Sequence, residues 1–245
     1  MKNNWDFLKK FTHARIALGR VGNAIPTKEL LNFRLAHSRA RDSVWTELDE
    51  MKLNGPFIST QSQCVSKKEF LLNPDKGREL DSNSRQKLEK LAKETPALDC
   101  LLLIADGLSA EALHTNANSF VEIFTAELKK TGLKMGPVIL GRYARVALGD
   151  EVGEIFKARS VVMLIGERPG LASSQSLSVY FTYEPSKGKT DANRNCISNI
   201  HSQGISPLGA AQMSVYLLQQ ALTKHLSGVG LKVEYPNEYQ RILTP

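Results

Sequence analysis

Several features that mark special classes of protein are missing from this chain. Its three cysteines, Cys64, Cys100 and Cys196, are widely spaced and form no Cys-x-x-Cys pair. We therefore expect free thiols in a reducing compartment instead of a disulfide framework. The longest apolar runs, residues 101–105 and 160–166, are only as long as a strand, and no leader-like apolar run begins the chain. We accordingly expect an intracellular protein without a membrane span.

Signatures of catalysis and of metal binding are also absent. No Gly-x-Gly-x-x-Gly motif follows a predicted strand, and the chain has no P-loop. The histidines lack metal-ligand spacing and form no recognisable catalytic triad (His13, His37, His114, His201 and His225). We predict no catalytic residue and no metal ligand in this chain. The residues alone favour a ligand-binding domain over a self-sufficient enzyme.

The chain carries excess positive charge, with 32 Lys and Arg residues against 25 Asp and Glu and a formal net charge of +7. Much of this charge lies in scattered pairs, such as Lys67-Lys68 and Lys129-Lys130, which are typical of solvated helix faces. No DNA- or RNA-binding motif accompanies them, so binding of nucleic acid is not predicted. A phosphate-bearing cofactor or an acidic partner subunit would suit the same charge.

The residue pattern divides the chain into three parts. Residues 1–61 predict an N-terminal arm and a basic amphipathic helix, which starts near Pro26 and has apolar residues at helical spacing (Leu30, Leu31, Phe33, Leu35 and Val44). This helix packs either on its own domain or against another subunit. Residues 62–97 form a charged connecting segment with an exposed helix. Residues 98–245 form the main domain.

Apolar strands alternate with helices in the main domain, which is typical of a largely parallel sheet covered by helices on both faces. Ligands of such sheets bind at the carboxyl ends of the strands. Loops at residues 106–109 and 166–170 lie at such ends, and Ser109 stands near a helix start, where free N–H groups attract anions. The predicted strands span residues 101–105, 137–140, 160–166 and 178–183, and the predicted helices span residues 109–128, 151–156 and 206–226.

Two motifs in the main domain carry a family resemblance. Gly-Glu-Arg-Pro-Gly at residues 166–170 is followed by Asn-Cys-Ile-Ser-Asn-Ile at residues 195–200. With segments at residues 14–22, 35–42, 105–109, 149–154 and 226–230 in the same order, the chain resembles the small subunit of ethanolamine ammonia-lyase over nearly its whole length. The resemblance implies a Rossmann-like domain that closes over the lower side of adenosylcobalamin. It also implies a large partner subunit, a TIM barrel, which holds the substrate and the radical chemistry that gives acetaldehyde and ammonia.

The resemblance also transfers three cobalamin contacts to this chain. They are Val146, which offers apolar or backbone contact to the corrin, Glu167, which accepts a corrin amide N–H, and Cys196, a small group that allows close approach. The structural alternatives are a core valine, a Glu167–Arg168 loop pair and a buried cysteine. A stand-alone corrinoid- or nucleotide-binding module, or a basic nucleic-acid-binding protein, is the alternative to a lyase subunit.

Two further expectations concern the state of the cofactor and the location of the protein. Many cobalamin modules replace the cofactor's lower base by the histidine of Asp-x-His-x-x-Gly, but the comparable loop here has Leu108 after Asp106 and Gly107. We therefore expect the dimethylbenzimidazole to stay on cobalt, the base-on state. We expect a cytoplasmic hetero-oligomer that associates with the ethanolamine-utilisation microcompartment, with the large subunit directing it there.

Overall fold

The computed structural model describes residues 5–12, 14–232 and 235, which form an α/β fold around a six-stranded sheet. The strands lie in the order β1-β3-β2-β4-β5-β6. They span Ile58–Gln61 (β1), Leu101–Ala105 (β2), Ile139–Arg142 (β3), Ser160–Gly166 (β4), Leu177–Tyr183 (β5) and Arg194–Ile200 (β6). The α-helices span Thr27–Trp45 (α1), Lys67–Leu72 (α2), Ser82–Glu94 (α3), Ala110–Lys130 (α4), Leu148–Ile155 (α5) and Pro207–Lys224 (α6).

The sheet is mixed. Strands β1, β3, β2 and β4 are parallel, whereas β5 runs antiparallel to β4 and β6 antiparallel to β5. The α/β class is thus confirmed, but the expectation of a largely parallel sheet is wrong for β5 and β6. The cause lies in the connections, residues 167–176 and 184–193, which contain no α-helix. A parallel neighbour would require a longer crossover.

The strands that are buried on both faces have the bounds predicted from the sequence. Every residue of β2 and β4 is buried, as their continuous apolar runs indicate. The strand predicted at residues 137–140 begins instead at Ile139. Two strands were not predicted, because β1 has a single large apolar residue and the two isoleucines of β6, Ile197 and Ile200, are three positions apart and do not show the two-residue alternation of a strand. The division of the chain at residues 61 and 97 stays a prediction, although β1 pairs with β3 in the sheet.

Hydrophobic side chains fill the space on both sides of the sheet. On one side, α4 and α6 cover alternate strand residues, with Phe120, Phe124 and Leu218 fully buried. On the other side, α3 and α5 cover the intervening residues, and Leu88 and Leu148 are fully buried. None of the described helices is long and apolar enough to cross a lipid bilayer.

Helix α1 contacts the rest of the molecule over a small part of its surface. Of its 19 residues, only Ala40 and Ser43 are buried. The Ser43 hydroxyl donates to the Ser174 carbonyl (3.2 Å) and lies 3.1 Å from Ser109 Oγ, so the second half of the helix is held on the domain. The predicted helix is confirmed, and most of its apolar face is open to solvent (Leu31 57%, Leu35 51% and Trp45 52% exposed).

Candidate functional site

The two predicted loops meet at the carboxyl ends of β2 and β4. Leu108 N donates to Gly166 O at 3.1 Å. A Cβ atom on Gly107, whose φ is +51°, would lie 2.4 Å from Gly166 O, and a Cβ on Gly166 would lie 2.2 Å from Ser109 O. Since real Cβ atoms do not approach oxygen so closely, glycine at both positions is what allows the loops to touch. The predicted neighbourhood of the two loops is confirmed.

Ser109 caps the helix that follows its loop. It is the buried N-cap of α4, and its hydroxyl accepts a hydrogen bond from Ala112 N (3.1 Å) and donates one to Ser174 O (2.9 Å). The residues at both ends of that first turn, Ser109 and Ala112, are fully buried. Of the two interpretations of this loop, an anion site and a helix cap, the structure shows the helix cap.

Asp106, at the end of β2, holds the loop that follows β3. Its buried carboxylate accepts hydrogen bonds from Tyr143 N (2.9 Å) and Ala144 N (3.1 Å). Burial raises the pKa of Asp106, and the positive charge of Lys67 opposes the rise. Lys67 Nζ donates to Gly107 O at 3.2 Å, and the residue is buried, so the prediction of a solvated lysine is wrong at this position. The loop fixed in this way leads directly into Val146.

Val146 is half-buried and lies at the edge of the core on the side of α3 and α5. It also lines a cavity of about 570 Å³, whose walls include Arg145, Asp150 and Arg194. Asp150 and Arg194 form a buried ion pair in which Arg194 donates to the carboxylate. Burial raises the pKa of Asp150 to about 6, against the opposing effect of Arg194. The valine therefore combines core packing with access to a charged cavity.

Glu167 joins three separate parts of the sheet. Its backbone N–H donates to Ser176 O (3.0 Å), and its Oε1 accepts hydrogen bonds from the Ser178 hydroxyl and from Asn199 N (3.1 Å). Its Oε2 has no hydrogen bond within the described part of the chain, and no ion pair with Arg168 forms there. Glu167 thus fixes β5 and β6 through one oxygen and keeps the other for a further donor.

Cys196 lies on the open face of the β5–β6 pair. It is exposed, and it stands opposite Tyr180 in the register of the two strands. Withdrawal of water by neighbouring atoms raises the pKa of the Cys196 thiol, as does the Glu167 carboxylate, whereas Tyr180 and Ser178, which lie beside the thiol, lower it. Burial raises the pKa of Tyr180 to about 12. At neutral pH this patch therefore presents uncharged sulfur and oxygen atoms.

The Asn-Cys-Ile-Ser-Asn-Ile motif has a structural explanation in β6. Asn195 anchors the C-terminal segment, because its side chain accepts a hydrogen bond from Gly228 N (2.7 Å) and donates to Leu231 O (3.2 Å). Ile197 and Ile200 enter the core on the side of α6. Asn199 sits in an irregularity of the β5–β6 register with φ +63°, which turns its N–H toward Glu167. The motif therefore holds Cys196 on the outer face.

Arginines border this face, and sequence reasoning assigned no ligand contact to any of them. The Arg145 guanidinium lies 4.3 Å above the Phe70 ring and donates to Phe70 O at 3.3 Å. The Nε atoms of Arg145 and Arg194 are buried and have no hydrogen-bond partner in the structure. Arg145 and Arg168 also line a second cavity of about 430 Å³ at the end of α1. Only their positions in the fold, not their spacing in the sequence, bring these residues together.

Fold and surface together define an α/β protein with an open polar sheet face bordered by arginines. Comparison with known proteins identifies its family. Residues 2–232 match the family model of the ethanolamine ammonia-lyase light chain. The ethanolamine ammonia-lyase small subunit of Pseudomonas fluorescens (strain Pf0-1) is 42% identical over 95% of this chain and 88% of its own length. That of Rhodopseudomonas palustris (strain BisA53) is 44% identical over 92% and 88%, respectively.

The chain belongs to the family of ethanolamine ammonia-lyase light chains. The resemblance drawn from the sequence motifs is thereby confirmed, and the chain is one component of a lyase. The comparisons concern the family as a whole and do not test the cofactor contacts expected at Val146, Glu167 and Cys196, which stay predictions. The structure does show two of the alternatives to be wrong, since Cys196 is exposed and Glu167 bonds to Ser178 and Asn199 instead of Arg168.

Proposed function

We propose that this chain is the small subunit of an adenosylcobalamin-dependent ethanolamine ammonia-lyase and converts ethanolamine to acetaldehyde and ammonia together with a large subunit. The family match over residues 2–232 carries this proposal. Adenosylcobalamin, when bound, supplies an adenosyl radical by homolysis of its cobalt–carbon bond, and this radical abstracts hydrogen from the substrate. The role of this chain is to bind and orient the cofactor and to exclude water from it.

The open face is chemically suited to a corrin. The macrocycle is a flat, largely apolar ring with amide arms that need hydrogen-bond donors and acceptors. The face offers an unused carboxylate oxygen at Glu167 and a small neutral group at Cys196. Val146 offers apolar contact in the cavity that Arg194 of β6 also lines. The buried Nε atoms of Arg145 and Arg194, which have no partner in the structure, add unused donors beside it. The parallel strands β1, β3, β2 and β4 form the Rossmann-like part of the domain, to which the face on β5 and β6 is attached.

Each of the three residues has a distinct part in this proposal. Val146 supplies an apolar or backbone contact that keeps water from the lower side of the ring. Glu167 accepts an amide N–H of the corrin through Oε2, since Oε1 is taken by Ser178 and Asn199. Cys196 permits close approach because its side chain is small, and its raised pKa keeps it a thiol. No step of the radical chemistry is assigned to these residues.

The cofactor is held base-on in this proposal. Leu108 occupies the position where a histidine would displace the lower base, and it packs on the apolar cluster formed by Cys64, Phe70 and Tyr143. A leucine has no lone pair to offer to cobalt. The dimethylbenzimidazole therefore stays as the lower ligand, and nitrogen-isotope labelling of that base should alter the electron paramagnetic resonance spectrum of the Co(II) complex. A spectrum altered only by labelling of protein histidine would contradict this part of the proposal.

The exposed face of α1 is the proposed contact with the large subunit. Three large apolar side chains on this face are more than half exposed to solvent (Leu31 57%, Leu35 51% and Trp45 52%). Exposed apolar patches of this kind are typical of protein–protein contacts. The second cavity, lined by Ala40, Val44 and Leu171, adjoins the same helix. A partner that covers α1 would thus also close over the cofactor from the side. The resulting hetero-oligomer is proposed to work in the cytoplasm, associated with the ethanolamine-utilisation microcompartment through its large subunit.

Reconstitution tests the proposed function. The purified chain and its cognate large subunit are assayed with adenosylcobalamin and ethanolamine, separately and together, for acetaldehyde and ammonia. We expect both products only when both chains are present. If cobalamin alters its spectrum on binding this chain but no deamination follows with a folded large subunit, a stand-alone corrinoid-binding module is supported instead.

A further inference from the structure

Arg145 is held rigidly but lacks a counter-charge. Its guanidinium stacks over Phe70, its NH2 group donates to Phe70 O, and its own backbone N–H donates to Gly77 O at 2.7 Å. A Cβ atom on Gly77 would lie 2.9 Å from Arg145 Cγ, so the glycine leaves space for the arginine stem. Arg145 forms no ion pair within the described residues, and its buried Nε has no hydrogen-bond partner.

The charges around Arg145 are mostly of the same sign. The cavity of about 430 Å³ that it lines also contains His37, Arg41 and Arg168, and no Asp or Glu is among its lining residues. Burial, Arg78 and Arg168 lower the pKa of Arg145, whereas Cys64 and the Asp106 carboxylate, which is already bonded to the backbone of Tyr143 and Ala144, oppose this change. Four acids line the cavity of about 570 Å³ that Arg145 also lines (Glu79, Asp150, Glu151 and Asp191). Asp150 is paired with Arg194 and Glu151 with Arg85, and within the described residues none of the four forms an ion pair with Arg145. A half-buried cation in such surroundings lacks an anion.

We infer that Arg145, with Arg168 beside it, binds the phosphodiester of the cobalamin nucleotide tail. This inference rests on the proposed function, because it takes the cofactor to lie on the face next to Val146. The phosphodiester is the one anionic group of cobalamin, whereas the amide arms of the corrin are neutral and would leave the buried charge uncompensated. A planar guanidinium matches a phosphate with two parallel hydrogen bonds, which suits an arginine fixed by stacking.

Corrinoids that differ only by a phosphate test this inference. Adenosylcobinamide lacks the whole nucleotide tail. Adenosylcobinamide phosphate is the same molecule with one phosphate group added. Their dissociation constants are measured by spectral titration of the complex of both subunits, with the wild-type small subunit and with Arg145→Met. Arg145→Lys keeps the charge without the fork, and Arg159→Gln is the matched control, because Arg159 pairs with Asp99 at the opposite end of the sheet.

We expect the wild-type complex to bind the phosphate form about tenfold or more tightly than cobinamide, as a charge-assisted contact implies. Arg145→Met should bring this ratio close to one and leave cobinamide binding within about twofold of wild type. Arg145→Lys should keep part of the ratio, and Arg159→Gln all of it. The same ratio in wild type and both Arg145 variants would overturn the inference.

Two other outcomes separate this inference from the proposed function. If Arg145→Met weakens binding of both corrinoids equally and also weakens subunit association, then a carboxylate of the large subunit is the missing anion and the inference is wrong. If the wild-type complex binds no corrinoid of any kind, the proposed function fails and this inference falls with it. Circular dichroism of each variant establishes that it is folded before titration.

Discussion

Glu167→Gln separates cofactor binding from folding, because the two oxygens of Glu167 have different tasks. Oε1 accepts hydrogen bonds from Ser178 and Asn199, and the carbonyl oxygen of glutamine can accept both of them. The amide NH₂ must then occupy the position of Oε2. The glutamine NH₂ would then face a corrin amide N–H. Both groups are hydrogen-bond donors, so no hydrogen bond could form between them. The fold should therefore tolerate this substitution, while cobalamin binding should not.

The size of the effect follows from the kind of bond that is lost. A hydrogen bond to a charged group contributes about 1.5–3 kcal/mol, so the affinity of the complex for cobalamin should fall by about 10- to 150-fold. The free energy of unfolding should change by less than about 1 kcal/mol, because the Ser178 hydroxyl and Asn199 N–H both keep an acceptor. Glu167→Ala is the contrasting variant. It removes the acceptor of Ser178 and Asn199 and should destabilise the fold by about 1–3 kcal/mol.

Equilibrium dialysis of cobalamin against the complex, together with urea unfolding of the isolated chain, measures both quantities. If Glu167→Gln binds cobalamin with wild-type affinity, Glu167 is only a connection between loop and strands, and the proposed contact is refuted. Loss of affinity only in Glu167→Ala, in step with its loss of stability, would support the same conclusion.

The remaining predictions concern the thiol, the buried ion pair and helix α1. Iodoacetamide should modify Cys196 slowly at pH 7 and faster as the pH rises past 9, because its pKa is raised, and cobalamin in the complex should protect it. Arg194→Met should cost about 3–5 kcal/mol of stability, since Asp150 is left buried without its partner. This deficit should grow as the pH rises above about 6, because Asp150 of the wild type has then lost its proton, whereas without Arg194 the folded variant keeps it and loses stability up to a higher pH. Leu31→Asp with Leu35→Asp should weaken association with the large subunit at least tenfold, measured by analytical ultracentrifugation, without lowering the melting temperature.

Each of these predictions has a control within the chain. Cys64 and Cys100 are buried and should stay unmodified until the chain unfolds. Equal labelling of all three cysteines would contradict the exposed position of Cys196. A pH-independent deficit in Arg194→Met would show that Asp150 does not titrate. Val229→Asp, at another exposed apolar residue, should leave subunit association unchanged, and an equal effect there would remove the special role of α1.

The parts of the fold that were predictable from sequence are those in which local pattern and burial agree. Strand β4 occupies the predicted residues because both of its faces are buried and the run is continuously apolar. Strand β6 was missed because an irregularity in its pairing with β5 places its buried residues, Arg194, Ile197 and Ile200, three positions apart instead of two. The antiparallel direction of β5 depends on the connection before it, which the apolar pattern does not describe.

Only those residues of the candidate site that stand in sequence motifs were predictable. Glu167 and Cys196 stand in recognisable motifs, and the structure brings them to neighbouring positions around Ser178. Arg145 escaped notice because its significance lies in missing partners, which depend on tertiary structure. Lys67 was misjudged for a related reason. A lysine in a charged segment gives no sign that it is buried against the loop of Gly107.

The central claim is that the cofactor lies on the open face of this chain, between it and the large subunit. A high-resolution structure of the complex of both subunits with adenosylcobalamin tests it most directly. The account predicts the corrin against Val146, Glu167 and Cys196, with dimethylbenzimidazole on cobalt. A corrin enclosed entirely by the large subunit, with the Cys196 face open to solvent, would contradict it.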